Sequence, residues 1–324
     1  MLALHKKHIV GSIKKVGYGT YSEVFKIFYD LCEDKDCTLC PIYKKAGFYT
    51  LKEILFTPKF DNEDFSFEIA HLERAYQVLP DLVIPYLHSW TEVFVEDKNL
   101  GQAPLFNREY GYIALDYMNY RDLYFNYVTT KQRDKWARPI YIPGVFFICL
   151  VILYALHKDL NLCHGDFRDT NIFLNYMNPN YKQKVYIQTP RIKREIDVYT
   201  GGFHVRLGDF GLAEPIQSNR GGFLFRDYEF IENIYKNKEK WAWMVREKEA
   251  DKLLNFIEIN FLPVINQTIK LYATDPSQKK ARADFWFDKH VVAANSIFLY
   301  KMPESLIESY IDSFYTFDEV TVAL

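Results

Sequence analysis

Apolar residues in the first third of the chain alternate around turns, and this pattern predicts strands before anything else. Ile9, Ile13 and Val16, a Gly-Tyr-Gly turn, then Val24, Phe25, Ile27 and Phe28 predict a β-hairpin over 9–29 with a glycine tip. Residues 48–56 predict a third strand, and the polar, Cys-bearing stretch 30–45 a loop inserted before it. Phe65, Ile69, Leu72, Tyr76 and Leu79 keep the helical period and stop at Pro80. Two strand-like stretches, 87–95 and 110–118, complete a small, mostly antiparallel sheet with one helix. After Met118 the pattern turns helical: around 121–128, along the apolar run 144–160, and from about 226 onward. Compact motif regions stand at 163–175 and 203–214. The run 145–156 is shorter than the roughly 20 residues of a membrane-spanning helix and predicts a buried one. Residues 176–202 are polar and basic without sustained periodicity, which predicts a surface insertion or long hairpin with solvated charges.

Composition narrows the class. With 49% hydrophobic and 25% charged residues the chain excludes collagen-like and disordered proteins, and 26 Phe with 25 Tyr predict an aromatic core. Forty Lys+Arg against 42 Asp+Glu leave a net charge of -2, so no global field points to nucleic acid or an anionic membrane, and any phosphate site must be local. Five cysteines in no framework pattern, behind an N-terminus without a signal-like apolar run, predict an intracellular, cytoplasmic setting. Cys32, Cys37 and Cys40 could offer three thiolates to zinc, but a tetrahedral site needs a fourth ligand and the insertion holds none. Cys149 and Cys163 are expected to fill core volume, and His157 and His164 to be structural.

Three motifs carry chemistry. Gly17-Tyr18-Gly19-Thr20-Tyr21-Ser22-Glu23-Val24 is a turn whose backbone N–H groups can approach phosphates, a weak signal by itself. In His164-Gly165-Asp166-Phe167-Arg168-Asp169-Thr170-Asn171 an aspartate and an asparagine in one short loop can face one reaction centre. The carboxylate orients a hydroxyl and the amide oxygen binds a metal. Leu207-Gly208-Asp209-Phe210-Gly211 then ends a strand in a carboxylate suited to Mg²⁺.

Together these residues resemble the protein kinase family, in the family's order and over most of the chain. Lys52 in Tyr-Thr-Leu-Lys is similar to the strand lysine, Glu68 to its helical glutamate partner, and residues 112–118 to the strand and hinge between lobes. The resemblance is to divergent Ser/Thr kinases such as those of large DNA viruses, which would place the protein in host cytoplasm. It implies an α+β, two-lobed fold, with an N-lobe over 1–118 and a mostly helical C-lobe over 119–324. It also implies ATP beneath the loop bearing Gly17, Tyr18, Gly19, Thr20, Ser22 and Val24, with adenine at the backbone of Asp116 to Met118. Lys52 would hold the α/β-phosphates and pair with Glu68, with Glu73 the alternative; Asp166 would orient the acceptor hydroxyl; Arg168 would add a cation; Asn171 and Asp209 would bind Mg²⁺. The implied partner is a protein substrate, without nucleic acid or membrane span.

Departures qualify the resemblance. Gly165 stands where regulated kinases carry an arginine, so activity is expected to be independent of loop phosphorylation. No Ala-Pro-Glu follows Asp209 at the family's distance, and the basic insertion lengthens the path from Asn171 to Asp209. Asp227 and Asp251 both qualify for the aspartate that starts the central C-lobe helix. The His-Gly-Asp triplet keeps open a small-molecule kinase of the aminoglycoside or choline type, and a nucleotide-binding pseudokinase scaffold ranks behind both.

Overall fold

Alternating apolar positions build a five-stranded sheet, antiparallel throughout. The computed structural model describes residues 8, 13–19, 22–32, 37, 40–43, 45–94, 108–129, 139–216, 227–261 and 301–315, and the chain divides into two units, Met1–Met118 and Asn119–Leu324. In the first unit the strands are β1 (Lys14–Tyr18), β2 (Ser22–Tyr29), β3 (Gly47–Leu55), β4 (Tyr86–Phe94) and β5 (Arg108–Asp116), in the order β1-β2-β3-β5-β4. A short helix, α1 (Cys40–Tyr43), lies in the insertion, and α2 spans Asn62–Val78. The core is aromatic: Tyr29, Tyr43, Tyr49, Trp90 and Tyr112 pack with Ile27, Leu51 and Ala114.

Helix α2 starts ahead of its first apolar residue because its cap is polar. The Asp61 carboxylate accepts N–H bonds from Glu63 and Asp64 at 2.8 and 3.1 Å, and Asp64 accepts from the Asp61 N–H at 3.2 Å, a capping box. Its buried stripe is Phe65, Glu68, Leu72 and Ala75. That stripe is rotated from the one predicted by periodicity, since Ile69 and Tyr76 are only half-buried and a glutamate is fully buried. Helix and sheet touch at Gly111 of β5, where a Cβ would lie 2.6 Å from the Phe65 ring. Only glycine fits that approach.

The second unit forms around α4 (Ile142–Lys158), in which every residue from Ile142 to His157 is buried. A helix apolar on all sides belongs at the centre of a core. No helix among the described residues is long and apolar enough to cross a membrane. Around it lie α3 (Leu123–Thr129), α5 (Glu229–Lys236), α6 (Lys238–Trp241), α7 (Glu247–Asn260) and α8 (Glu304–Phe314). Three two-stranded pairs complete the unit: β6 (Leu162–Cys163) with β11 (Glu214–Pro215), β7 (Ile172–Tyr176) with β10 (Phe203–Leu207), and β8 (Lys182–Gln188) with β9 (Lys193–Tyr199). Of the helical sequence predicted after 226, residues 262–300 lie outside the described part.

The β8–β9 pair is the basic insertion, and it does more than sit on the surface. Gln183, Val185, Ile187, Ile196 and Val198 are buried on its inner face. The buried Gln183 amide donates to the Val205 carbonyl at 3.0 Å and accepts the Val205 N–H at 2.8 Å, so one side chain satisfies both backbone groups of a β10 residue. At the turn, the Thr189 hydroxyl donates to Glu308 of α8 at 2.6 Å. Two of the insertion's basic residues are paired within the chain, Lys184 with Glu195 and Arg191 with Glu308 and Asp312.

Candidate functional site

In the first unit the strand register sets the cation. Lys52 sits in β3 between Val24 of β2 and Ile113 of β5, and its Nζ donates to Glu68 Oε1 at 2.6 Å. Glu73 lies instead beside Tyr86. The glycine turn joins β1 and β2, pairing Gly17 with Val24 and Tyr18 with Glu23 across a register shift. The Gly19 N–H donates to the Ser22 carbonyl at 2.7 Å, and a Cβ at Gly19 would lie 2.7 Å from Ser22 Oγ, whereas Gly17 has ordinary room. Tyr18 is 85% exposed, and Thr20 lies outside the described residues. Asp116 ends β5, its N–H donating to the Pro85 carbonyl at 3.0 Å; Met118 is buried two residues on.

In the second unit α4 ends, β6 follows, and the chain turns through the loop from His164 to Asn171 into β7. The Asn171 amide donates to the Asp166 carboxylate at 2.8 Å and to the Asp166 carbonyl at 2.9 Å. Arg168 reaches the same carboxylate at 3.0 Å. Burial pushes the Asp166 carboxyl above the ordinary aspartate range and the charge of Asp209 adds to this, while Arg168, His164 and Asn171 pull it down. Asp209 follows β10 with a positive φ of 62° and is exposed, next to buried Phe210. The antiparallel pairing of β7 with β10, from Ile172 with Leu207 to Tyr176 with Phe203, and a Gly208 N–H bond to the Asn171 carbonyl at 3.0 Å, bring Asp209 to the Asp166 loop.

The group that shapes this loop is Asp227. It is fully buried, and its carboxylate accepts the N–H of His164 at 2.9 Å and of Gly165 at 2.7 Å while contacting His157 Nε2 at 2.9 Å. Gly165 has φ 73°, a conformation costly to any side-chain-bearing residue. Asp251 is exposed in α7 and takes no such role. His164 Nε2 lies 3.1 Å from the Gly208 carbonyl, so this buried histidine braces the two segments rather than binding metal. Sequence reasoning left Asp227 undecided because nothing local marks an aspartate whose partners lie more than sixty positions earlier.

These groups can do three things. A half-buried carboxylate paired with Arg168 can take or orient a proton. The Asn171 amide oxygen and the Asp209 carboxylate are hard oxygen donors of the kind Mg²⁺ prefers. The Lys52 ammonium, fixed by Glu68, can meet an anion.

No family model and no curated protein matches the chain. Among solved structures it is similar to a kinase domain from Plasmodium, at 16% identity over 94% of this chain and 90% of that one, with a TM-score of 0.41. Similarity at that level leaves the chemistry to be read from the residues themselves.

Proposed function

We propose that the chain is an ATP-dependent phosphotransferase of the protein-kinase type, with a Ser or Thr hydroxyl of a protein as acceptor. The observation that carries the reading is the Asn171 amide held on both the carboxylate and the carbonyl of Asp166. With its N–H groups so used, Asn171 presents its amide oxygen to a metal, and Asp166 is fixed as the proton acceptor. In this reading the two units are the two lobes of a kinase.

Each residue then has a task. Lys52, held by Glu68, binds the α/β-phosphates, and backbone N–H groups of the Gly17 to Ser22 turn approach the phosphate chain where side chains are small. Asp116 to Met118 offer backbone groups to the base. Asn171 and Asp209 would hold Mg²⁺, which when bound neutralises charge on the phosphate oxygens. Asp166 accepts the proton of the hydroxyl as its oxygen attacks the γ-phosphorus and the bond to the β-phosphate oxygen breaks. Arg168 tempers the carboxylate and supplies positive charge beside it. The basic β8–β9 hairpin would help to hold an acidic protein substrate, and with Lys184 and Arg191 already paired in the chain that attraction falls mainly to Lys182 and Lys193, both exposed.

The test is transfer of label from γ-labelled ATP with Mg²⁺ to separate panels of proteins and small alcohols. Label on Ser or Thr of a protein, lost in Asp166→Asn with ATP binding retained, is expected. Transfer only to small alcohols would replace the acceptor, and nucleotide binding without any transfer would make the chain a scaffold.

A further inference from the structure

The sequence offers three thiolates and no fourth ligand within the insertion; the fold supplies one from outside it. His8, which precedes β1, lies against Cys32, Cys37 and Cys40, and one ligand atom from each of the four falls within 4.8 Å of all the others. Cys37 Sγ is 3.3 Å from His8 Nε2, Cys40 Sγ 4.0 Å from His8 Nδ1, and Cys32 Sγ 3.5 Å from Cys40 Sγ. A tetrahedron with Zn–S bonds of about 2.3 Å has edges of about 3.8 Å, close to the Cys32–Cys40 and Cys37–His8 Nε2 separations. The Cys32–Cys40 separation is far beyond a disulfide's roughly 2.05 Å.

The surroundings are built for such an ion. His8 is 4% exposed, and its Nδ1 lies 3.0 Å from the Asp30 carbonyl. A carbonyl at Nδ1 selects the tautomer with the proton there and leaves the Nε2 lone pair for a metal. The Asp30 N–H returns a bond to the His8 carbonyl at 2.8 Å, and the imidazole stacks on Tyr29 at 4.8 Å. The Cys32 N–H donates to Cys40 Sγ at 3.4 Å, a bond that favours the thiolate. Three sulfurs and one imidazole nitrogen form a soft donor set that suits zinc over magnesium or calcium.

We propose that His8, Cys32, Cys37 and Cys40 form a closed structural zinc site. Four protein ligands leave no position for water or substrate, so the site holds structure rather than performing chemistry. It fastens the segment before β1 to the connection between β2 and β3, at the end of the sheet where Tyr29 pairs with Gly47. The inference is independent of phosphoryl transfer.

The test uses the full chain, purified under reducing conditions, with Zn²⁺ and Co²⁺ as probes. Elemental analysis should give one zinc per chain, and Co²⁺ should produce the intense visible absorption of a tetrahedral sulfur-nitrogen site. His8→Ala and Cys37→Ser should each lose the metal on dialysis against a chelator, and His8→Cys should keep it. If the variants do not fold, alkylation of the wild-type chain decides: Zn²⁺ should protect Cys32, Cys37 and Cys40 together. No zinc uptake by the reduced chain, a Cys32–Cys40 disulfide in the protein as purified, or a His8→Ala chain with unchanged zinc content and Co²⁺ spectrum would each overturn the assignment.

Discussion

Two lysine–glutamate pairs of nearly equal length sit in different parts of this molecule. Lys52 and Glu68 join sheet to helix in the first unit at 2.6 Å, with side chains 13% and 3% exposed; Lys184 and Glu195 face each other across the hairpin of the second at 2.5 Å, 66% and 49% exposed. Distance does not separate them, but solvent does. In water the hairpin pair exchanges hydration for a contact of similar worth, and salt screens what remains. The inner pair has lost most of its hydration, so each charge depends on the other. A fold that buries Glu68 where periodicity offers Ile69 maintains the pair at a cost, and the proposed chemistry gives the reason.

Breaking the inner pair should have the largest effect. Glu68→Ala removes the carboxylate that Lys52 donates to and should destabilise the protein by about 3 kcal/mol, the low end for a broken buried pair because Lys52 keeps some solvent contact. Denaturant unfolding measures it, and a loss below about 1 kcal/mol would equate the two pairs. The double change Lys52→Met with Glu68→Leu should recover most of that stability and none of the phosphoryl transfer. Next comes the packing that presents Glu68. Gly111→Ala drives a methyl into the Phe65 ring and should cost about 1–3 kcal/mol as α2 shifts; an unchanged melting temperature would show that the helix yields freely.

A third carboxylate sharpens the contrast, since Asp169 is buried with an amide for a partner. Its carboxyl is pushed up to about 6 by burial, with Asp122 adding to the rise and the Asn233 amide, at 3.2 Å, opposing it. Because its folded value lies above the unfolded one, its contribution is full below about pH 4 and is lost as pH rises through 6. Asp169→Asn should therefore melt higher than wild type at pH 7 and level with it below pH 4. A difference that does not vary with pH would mean the carboxyl is not the titrating group. The smallest effect belongs to the hairpin: Lys184→Ala should leave the melting temperature within error at low and high salt alike.

Much of this was legible in the sequence, and the rest was hidden for physical reasons. Strands of the first unit follow from alternation, and α4 follows from an apolar run too short for a membrane. The stripe of α2 was misplaced by one position because hydrophobic periodicity is blind to a glutamate buried by a lysine on another element. Asp166, Asn171 and Asp209 announce themselves by residue type and order, and the pairing of β7 with β10 brings their loops together. Gln183 could not be read, and Asp227 could not be chosen over Asp251, since their partners are backbone groups of distant segments. His8 escaped for the same reason, being a ligand far from its cysteines along the chain.

Asp227 also governs when the loop can exist. The loop from His164 to Gly165 takes its shape from a carboxylate supplied more than sixty residues later, which joins it to His157, whose Nδ1 in turn receives the Met302 N–H at 2.9 Å. During synthesis, Asp166, Asn171 and Asp209 all leave the ribosome before the residue that shapes the loop around them. A chain interrupted between 209 and 227 carries every one of those side chains but not the carboxylate that shapes the loop, so on the proposed reading products of that length should transfer no phosphate.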